Sequence, residues 1–233
     1  MIPPTVHVVD DDPSMRRAIS RLLRSNGLHA EAYPNAKDFI SHPFPSSPAC
    51  IVIDLRIPGM DGLELQEFLL RGHSELAVVL ISGHGNVSAS VRAMKAGAVD
   101  FLTKPFEDCE FLAAIHTALL RSQQACENRQ TLDRDAAAFG TLSHREQQVC
   151  LRIARGMLNK QIGAEFGTTE KTIKVQRSCV MKKLGALSLT DVVRMVERLR
   201  SAGLLPPSLD IPGNDRQFPA RTATAFLGTT FQN

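Results

Sequence analysis

The sequence predicts an α/β domain, a parallel five-stranded sheet with helices on both faces, followed by a small all-α domain. Three observations predict it. Five short apolar runs alternate with segments of helical period over the first 120 residues. Four helical patterns and no convincing strand occupy residues 141–203. Charge divides the same way: residues 1–122 hold 11 basic and 14 acidic side chains, whereas residues 141–200 hold 12 and 5. An acidic part joined to a basic one suggests two jobs, the second on nucleic acid. By itself the basic part reads equally as a solvated surface.

The expected strands are Thr5–Val9, Leu28–Ala32, Cys50–Asp54, Leu76–Ile81 and Val99–Leu102. The second is the weakest, being interrupted by His29 and Glu31. Between the runs, Met15, Ile19, Leu22 and Leu23 recur with helical period, as do Val91 and Met94. Crossovers between parallel strands are right-handed, and ligands of such sheets sit at the strands' carboxyl ends. Residues 121–140 are polar and then alanine-rich; they read as a continuation of the fifth helix followed by a linker, placed at 123–138. A capping box, Ser143 with Glu146, opens the next helix, whose apolar face is Val149, Cys150, Ile153 and Ala154. A short helix spans about Asn159–Phe166, Gly167 permits a tight turn, and Thr168 or Thr169 caps a third helix rich in lysine. Ser188 to Asp191 repeats the capping pattern before a fourth, with Val192, Val193, Met195, Val196 and Leu199 apolar. The domains are therefore expected at 1–122 and 139–203, with a disordered tail over 204–233 that is proline-punctuated and aperiodic.

Composition narrows the class. Apolar residues make up 43% and charged ones 22%, which suits a protein with real cores. No apolar run approaches the ~20 residues that span a bilayer, and the first residues lack a basic stretch leading into an apolar one. Five dispersed cysteines form no CxxC pair and read as reduced thiols. These features predict a cytoplasmic protein with no membrane partner.

The expected strand ends gather the chemistry. Asp10 and Asp11 follow the first run, Asp54 ends the third, Ser82 follows the fourth and Lys104 follows the fifth. Three converging carboxylates repel one another unless a cation offsets them. Hard oxygen donors with open positions suit Mg²⁺, and a nearby ammonium and hydroxyl suit a phosphoryl group. That is the chemistry of a carboxylate nucleophile accepting a phosphoryl group. Asp54, in mid-sheet, is the acceptor. Asp11 ligates Mg²⁺ directly, Asp10 partly through water; Lys104 pairs with phosphoryl oxygens and Ser82 donates to one. Asp12, before Pro13, reads either as a helix cap or as a helper of the metal.

VHVVDDD, VIDLRIPGMDGLEL, VVLISGHG and MKAGAVDFLTKPF resemble the blocks of the receiver domain of two-component response regulators, over about residues 5–122. The resemblance implies a flavodoxin-like (βα)5 fold, phosphorylation by a sensor histidine kinase, a metal ligand from the main-chain carbonyl of Arg56, and a cis Lys104–Pro105 bond. It makes Phe101 a switch aromatic, although Phe101 lacks the hydroxyl of many relatives and also reads as an ordinary core aromatic. Gly59 and Gly62 fit the turn after Asp54, where an unusual backbone angle is expected. His84 lies near Ser82 and reads as a loop residue.

In the second domain, a helix, a glycine turn and a basic, well-capped helix make a helix-turn-helix, with a charged interaction module as the plainer alternative. LSHREQQVCLRIARGMLNKQIGAEFGTTEKTIKVQRSCVMKKL resembles the LuxR-type DNA-binding domain, and the pair of domains resembles the NarL/FixJ subfamily. The resemblance turns Lys174, Val175 and Ser178 to the bases, with Gln176 and Arg177 at the flank, and Lys160, Thr169, Lys171 and Lys182 on the DNA backbone. Gln176 and Ser178 depart from the residues usual in relatives, which bears on the operator sequence. The fourth helix is where relatives dimerise; its apolar stripe equally suits internal core. The expected function is a DNA-binding transcription regulator, not an enzyme. Phosphorylation at Asp54 is expected to favour a homodimer on a two-fold promoter site, with RNA polymerase a further candidate partner. The rivals are a Mg²⁺-dependent aspartyl-phosphate phosphatase, a DNA-binding sensor of a small molecule, and a phosphorylation-independent DNA-binding protein. Phosphatases of that kind carry a second Asp two residues after the nucleophile, and here that position is Arg56.

Overall fold

The computed structural model describes residues 4–44, 47–72, 75–83 and 87–205. The expected tail, apart from residues 204–205, and His84 lie outside the described residues. The chain forms two compact units that part between Thr131 and Leu132.

The first unit runs β1 (Thr5–Val9), α1 (Pro13–Ser25), β2 (His29–Tyr33), α2 (Ala36–Ile40), β3 (Ala49–Asp54), α3 (Gly62–Gly72), β4 (Ala77–Ser82), α4 (Val87–Lys95) and β5 (Asp100–Thr103), then enters α5 (Asp108–Gly140). All five strands pair in parallel in the order β2-β1-β3-β4-β5. The central strands β3 and β4 read as apolar runs because they are covered on both faces; all six residues of each are buried. The strand with the weakest pattern, β2, is an edge, where His29 is exposed and Glu31 half-buried. Alternation along the strands divides the core. Val6, Val8, Cys50, Val52 and Val79 pack with α1 and α5 residues such as Leu23, Phe111 and Ile115. Val9, Ile51, Ile53 and Leu80 pack on the other side with Phe39, Leu65 and Leu69.

The second unit holds the end of α5, α6 (His144–Ala154), α7 (Asn159–Glu165), α8 (Glu170–Leu184) and α9 (Leu189–Ser201). Ser143 and Ser188 form the expected capping boxes, and Thr169 is the residue that caps α8. The apolar stripe of α9 is internal: Val192, Met195, Val196 and Leu199 are buried in the core with Val149, Ile153, Ile162 and Ile173.

The expected continuation of the fifth helix runs through the whole of 123–138, within α5, and the two units part inside that stretch. It contains neither proline nor glycine and is rich in Ala, Gln and Arg, all good helix formers. Its last turns serve the second core, to which Leu132, Ala136 and Phe139 contribute, and Asp135 accepts a bond from Arg198 at 2.7 Å.

Candidate functional site

The strand order reverses between β1 and β3, and the crevice at the carboxyl ends of such a switch point is where doubly wound sheets bind ligands. Asp10 follows β1 there and Asp54 ends β3. One carboxylate oxygen from each of Asp10, Asp11 and Asp54 can be chosen so that all lie within 4.8 Å of one another. Asp10 is fully buried and Asp11 exposed. Lys104, just past β5, donates to Asp10 Oδ2 at 2.7 Å and to Asp54 Oδ2 at 3.0 Å. Burial disfavours its charged form, but those bonds outweigh burial and hold the ammonium pKa above its ordinary value. Three carboxylates and one ammonium leave a formal charge of about −2, which a divalent cation and a phosphoryl group can share.

Local backbone sets these positions. Leu55 N donates to Ile81 O at 2.8 Å and Lys104 N to Ser82 O at 2.7 Å, which ties the three strand ends together. Ser82 ends β4 and is buried. It lines an open hollow of about 640 Å³ with Asp11, Arg56, Gly59, Met60 and Asp61. Arg56 N points to Asp54 Oδ1 at 3.5 Å. Gly59 has the expected left-handed backbone, φ +86°. Gly62 does not; glycine is needed there because a Cβ would lie 2.5 Å from the carbonyl oxygen of Asp54. Asp12 is the cap of α1, accepting from Ser14 N at 2.8 Å. Phe101 is half-buried against the core on the α3 side. Lys104–Pro105 is cis.

Two features escaped the sequence reading. Arg16, in the first turn of α1, donates to the main-chain carbonyl of Asp10 at 2.5 Å. In the second unit, buried Arg152 pairs with Glu165 at 2.7 Å, while Arg145 lies 3.6 Å from the centre of the Phe166 ring. The signal for both lay in long cationic side chains at helical spacing, whose partners only the fold selects.

The glycine turn behaves as expected: Gly167 has φ +64°. Gly163, inside α7, lets the turn pack close, since a Cβ there would meet Thr168 O at 3.0 Å. Beyond it α8 presents one exposed face carrying Lys171, Lys174, Val175, Ser178 and Lys182. Val175 is 60% exposed on that face. Arg177 is half-buried, Lys160 is exposed on α7, and Thr169 caps α8 through its hydroxyl, 3.2 Å from Thr172 N. Gln176, two residues past Lys174, lies about 200° around the helix from it; it is half-buried, and its Oε1 is buried with no hydrogen-bond partner among the described residues. Lys183 is engaged elsewhere, bonding Glu146 at 2.6 Å; that bond first, then the Ser143 amide, holds the Glu146 carboxyl below its usual range.

Comparison with known proteins agrees with this arrangement. Residues 6–116 match the response regulator receiver domain, and residues 140–196 match the bacterial regulatory proteins of the luxR family. Nodulation protein W of Bradyrhizobium diazoefficiens is 44% identical over 194 residues, 83% of this chain and 86% of that protein. Transcriptional regulatory protein FixJ of Azorhizobium caulinodans is 39% identical, over 82% of this chain and 90% of that protein. The structure of response regulator StyR superposes with a TM-score of 0.74 at 44% identity, covering 84% of this chain and 99% of that one. No helix of the described residues is long and apolar enough to cross a membrane. The chain belongs to the NarL/FixJ family of response regulators and is a two-component transcription regulator with a receiver domain and a LuxR-type DNA-binding domain.

Proposed function

We propose that Asp54 is the phosphoacceptor and that its phosphorylation by a sensor histidine kinase activates promoter binding. The convergence of Asp10, Asp11 and Asp54 with Lys104 on one crevice supports the reading above all else. An Asp54 carboxylate oxygen attacks the phosphorus of the kinase's phosphohistidine. The P–O bond forms, the P–N bond breaks, and the departing imidazole takes a proton from solvent. Lys104 turns from its two carboxylates toward the phosphoryl oxygens, and Ser82 donates to one of them. The donor set fits Mg²⁺: Asp10, Asp11, Asp54 and the main-chain carbonyl of Arg56 would hold it, and when bound it supplies positive charge to the phosphoryl oxygens.

The boundaries 1–122 and 139–203 serve as functional domains, with α5 reaching both. Movement of Ser82 makes room for Phe101 to turn inward, and the altered receiver face favours a homodimer on a two-fold DNA site. Lys174, Val175 and Ser178 meet base edges, Gln176 and Arg177 the flank, and Lys160, Thr169, Lys171 and Lys182 the phosphates. RNA polymerase is the downstream partner, and the cytoplasm, where the DNA is, is the place of action. The exposed Arg56 cannot serve as the acid of an aspartyl-phosphate phosphatase, which argues against an enzyme.

The test compares wild type with Asp54→Ala, each incubated with Mg²⁺ and acetyl phosphate. Wild type alone is expected to gain one phosphoryl mass and to bind DNA more tightly. If neither gains mass and both bind equally, the crevice is not used and the protein binds DNA constitutively.

A further inference from the structure

We propose that Arg16 is a positioning residue for the acidic crevice, clamping the peptide between Asp10 and Asp11 so that the Asp11 carboxylate is aimed at the cation. The inference rests on the reading of Asp10 and Asp11 as Mg²⁺ holders.

Asp10 is held by its side chain. Its Oδ1 accepts from Asp12 N at 2.8 Å and its Oδ2 from Lys104 at 2.7 Å. Asp11 is different: it is exposed, lines the hollow, and no hydrogen bond or ion pair of its side chain is found among the described residues. Its carboxylate is therefore placed by its backbone alone. The Asp10 carbonyl and the Asp11 amide share one rigid plane. Arg16 Nη1 donates to that carbonyl at 2.5 Å, so the guanidinium sets the orientation from which the Asp11 side chain departs. Arg16 can do this because α1 starts at once: Asp12 caps it, Pro13 opens it, and Arg16 N donates to Asp12 O at 3.0 Å. The half-buried side chain is thereby turned back along its helix toward β1. Arg16 has no carboxylate within 4.0 Å among the described residues, so its bond to Asp10 O is a fixed purpose and not a by-product of an ion pair.

Charge and clamp have opposite consequences. As a cation beside the crevice's backbone, Arg16 opposes the binding of another cation. As a clamp, it preorganises a ligand and favours it. Groups that orient metal ligands typically alter affinity 10–100-fold when removed. Mg²⁺ titrated calorimetrically into the full-length, unphosphorylated chain separates the two. Arg16→Met is expected to bind Mg²⁺ about tenfold more weakly than wild type, and Arg16→Lys, which keeps a donor and the charge, to recover most of that loss. With saturating Mg²⁺, the acetyl phosphate labelling rate of Arg16→Met is expected to return to within about twofold of wild type, since Lys104 and Ser82 are untouched. Should Arg16→Met fail to fold, Arg16→Gln, which also loses the charge and the reach, carries the same expectation. Equal or tighter Mg²⁺ binding by the Met or Gln variant overturns the clamp. Absence of Mg²⁺ binding by wild type overturns instead the site reading beneath it.

Discussion

At the scale of single residues, the crevice depends on places where no atom can be added. A Cβ on Gly62 would lie 2.5 Å from the Asp54 carbonyl oxygen and 3.0 Å from Leu55 Cα, both backbone atoms that cannot swing aside. Gly62→Ala is expected to cost about 1–3 kcal/mol in urea unfolding and to slow labelling of Asp54, because relief must displace the acceptor's own peptide. A stability equal to wild type would show that α3 moves freely. His7 illustrates a charge that folding refuses. It is buried between Tyr33 and Phe39, its Nε2 has no hydrogen-bond partner among the described residues, and its Nδ1 lies 3.7 Å from Glu31. Burial pushes its pKa down most strongly; Glu31 opposes this, and His29 and His42 add to it. The folded value therefore lies below 6.5, so the stability this neutral ring contributes is present above pH 6.5 and is lost as pH falls through the folded value. Wild type is expected to lose more thermal stability between about pH 7 and pH 5 than His7→Leu does; parallel losses would assign the acid sensitivity to other groups.

At the scale of elements, α8 is the part most nearly readable in advance. Its cap, its glycine turn and its row of lysines lie in sequence order, and the exposed positions repeat at helical spacing. The face predicts two kinds of variant. With Lys182 on a phosphate, as proposed, Lys182→Ala is expected to weaken DNA binding evenly across sequences, flattening the salt dependence by about one charge. Lys174→Ala is expected to relax preference at particular base pairs, costing about 1–3 kcal/mol on the preferred site. Binding isotherms at several salt concentrations on matched and scrambled sites separate the two. The opposite assignment would mean that α8 lies differently in the groove.

At the scale of the whole molecule, acidic and basic halves correspond to two units with separate cores. The Asp54→Ala comparison therefore has a second readout. Phosphorylated wild type is expected to sediment at about twice the monomer mass and the variant to remain monomeric, since a two-fold site is served by a two-fold protein. Tighter DNA binding without a change in mass would locate the switch within one chain.

The sequence by itself determined a great deal about this protein. The five strands were legible to within a residue: β3 and β4, covered on both faces, are runs of Val, Ile and Leu, and the weaker runs of the edge strands β2 and β5 were found from the β/α alternation; the acidic residues at the strand ends were legible because topology puts all carboxyl ends on one side. The capping residues of α6, α8 and α9 were legible because capping is local. What only the tertiary structure decided is which side chain meets which across long separations: that Lys104 lies on Asp10 and Asp54, that Arg16 returns to the Asp10 carbonyl, and that the stripe of α9 is core. Local rules act over three or four residues, whereas these contacts are chosen by the packing of elements that the chain separates, and a polar or apolar side chain carries no mark of the partner it will find.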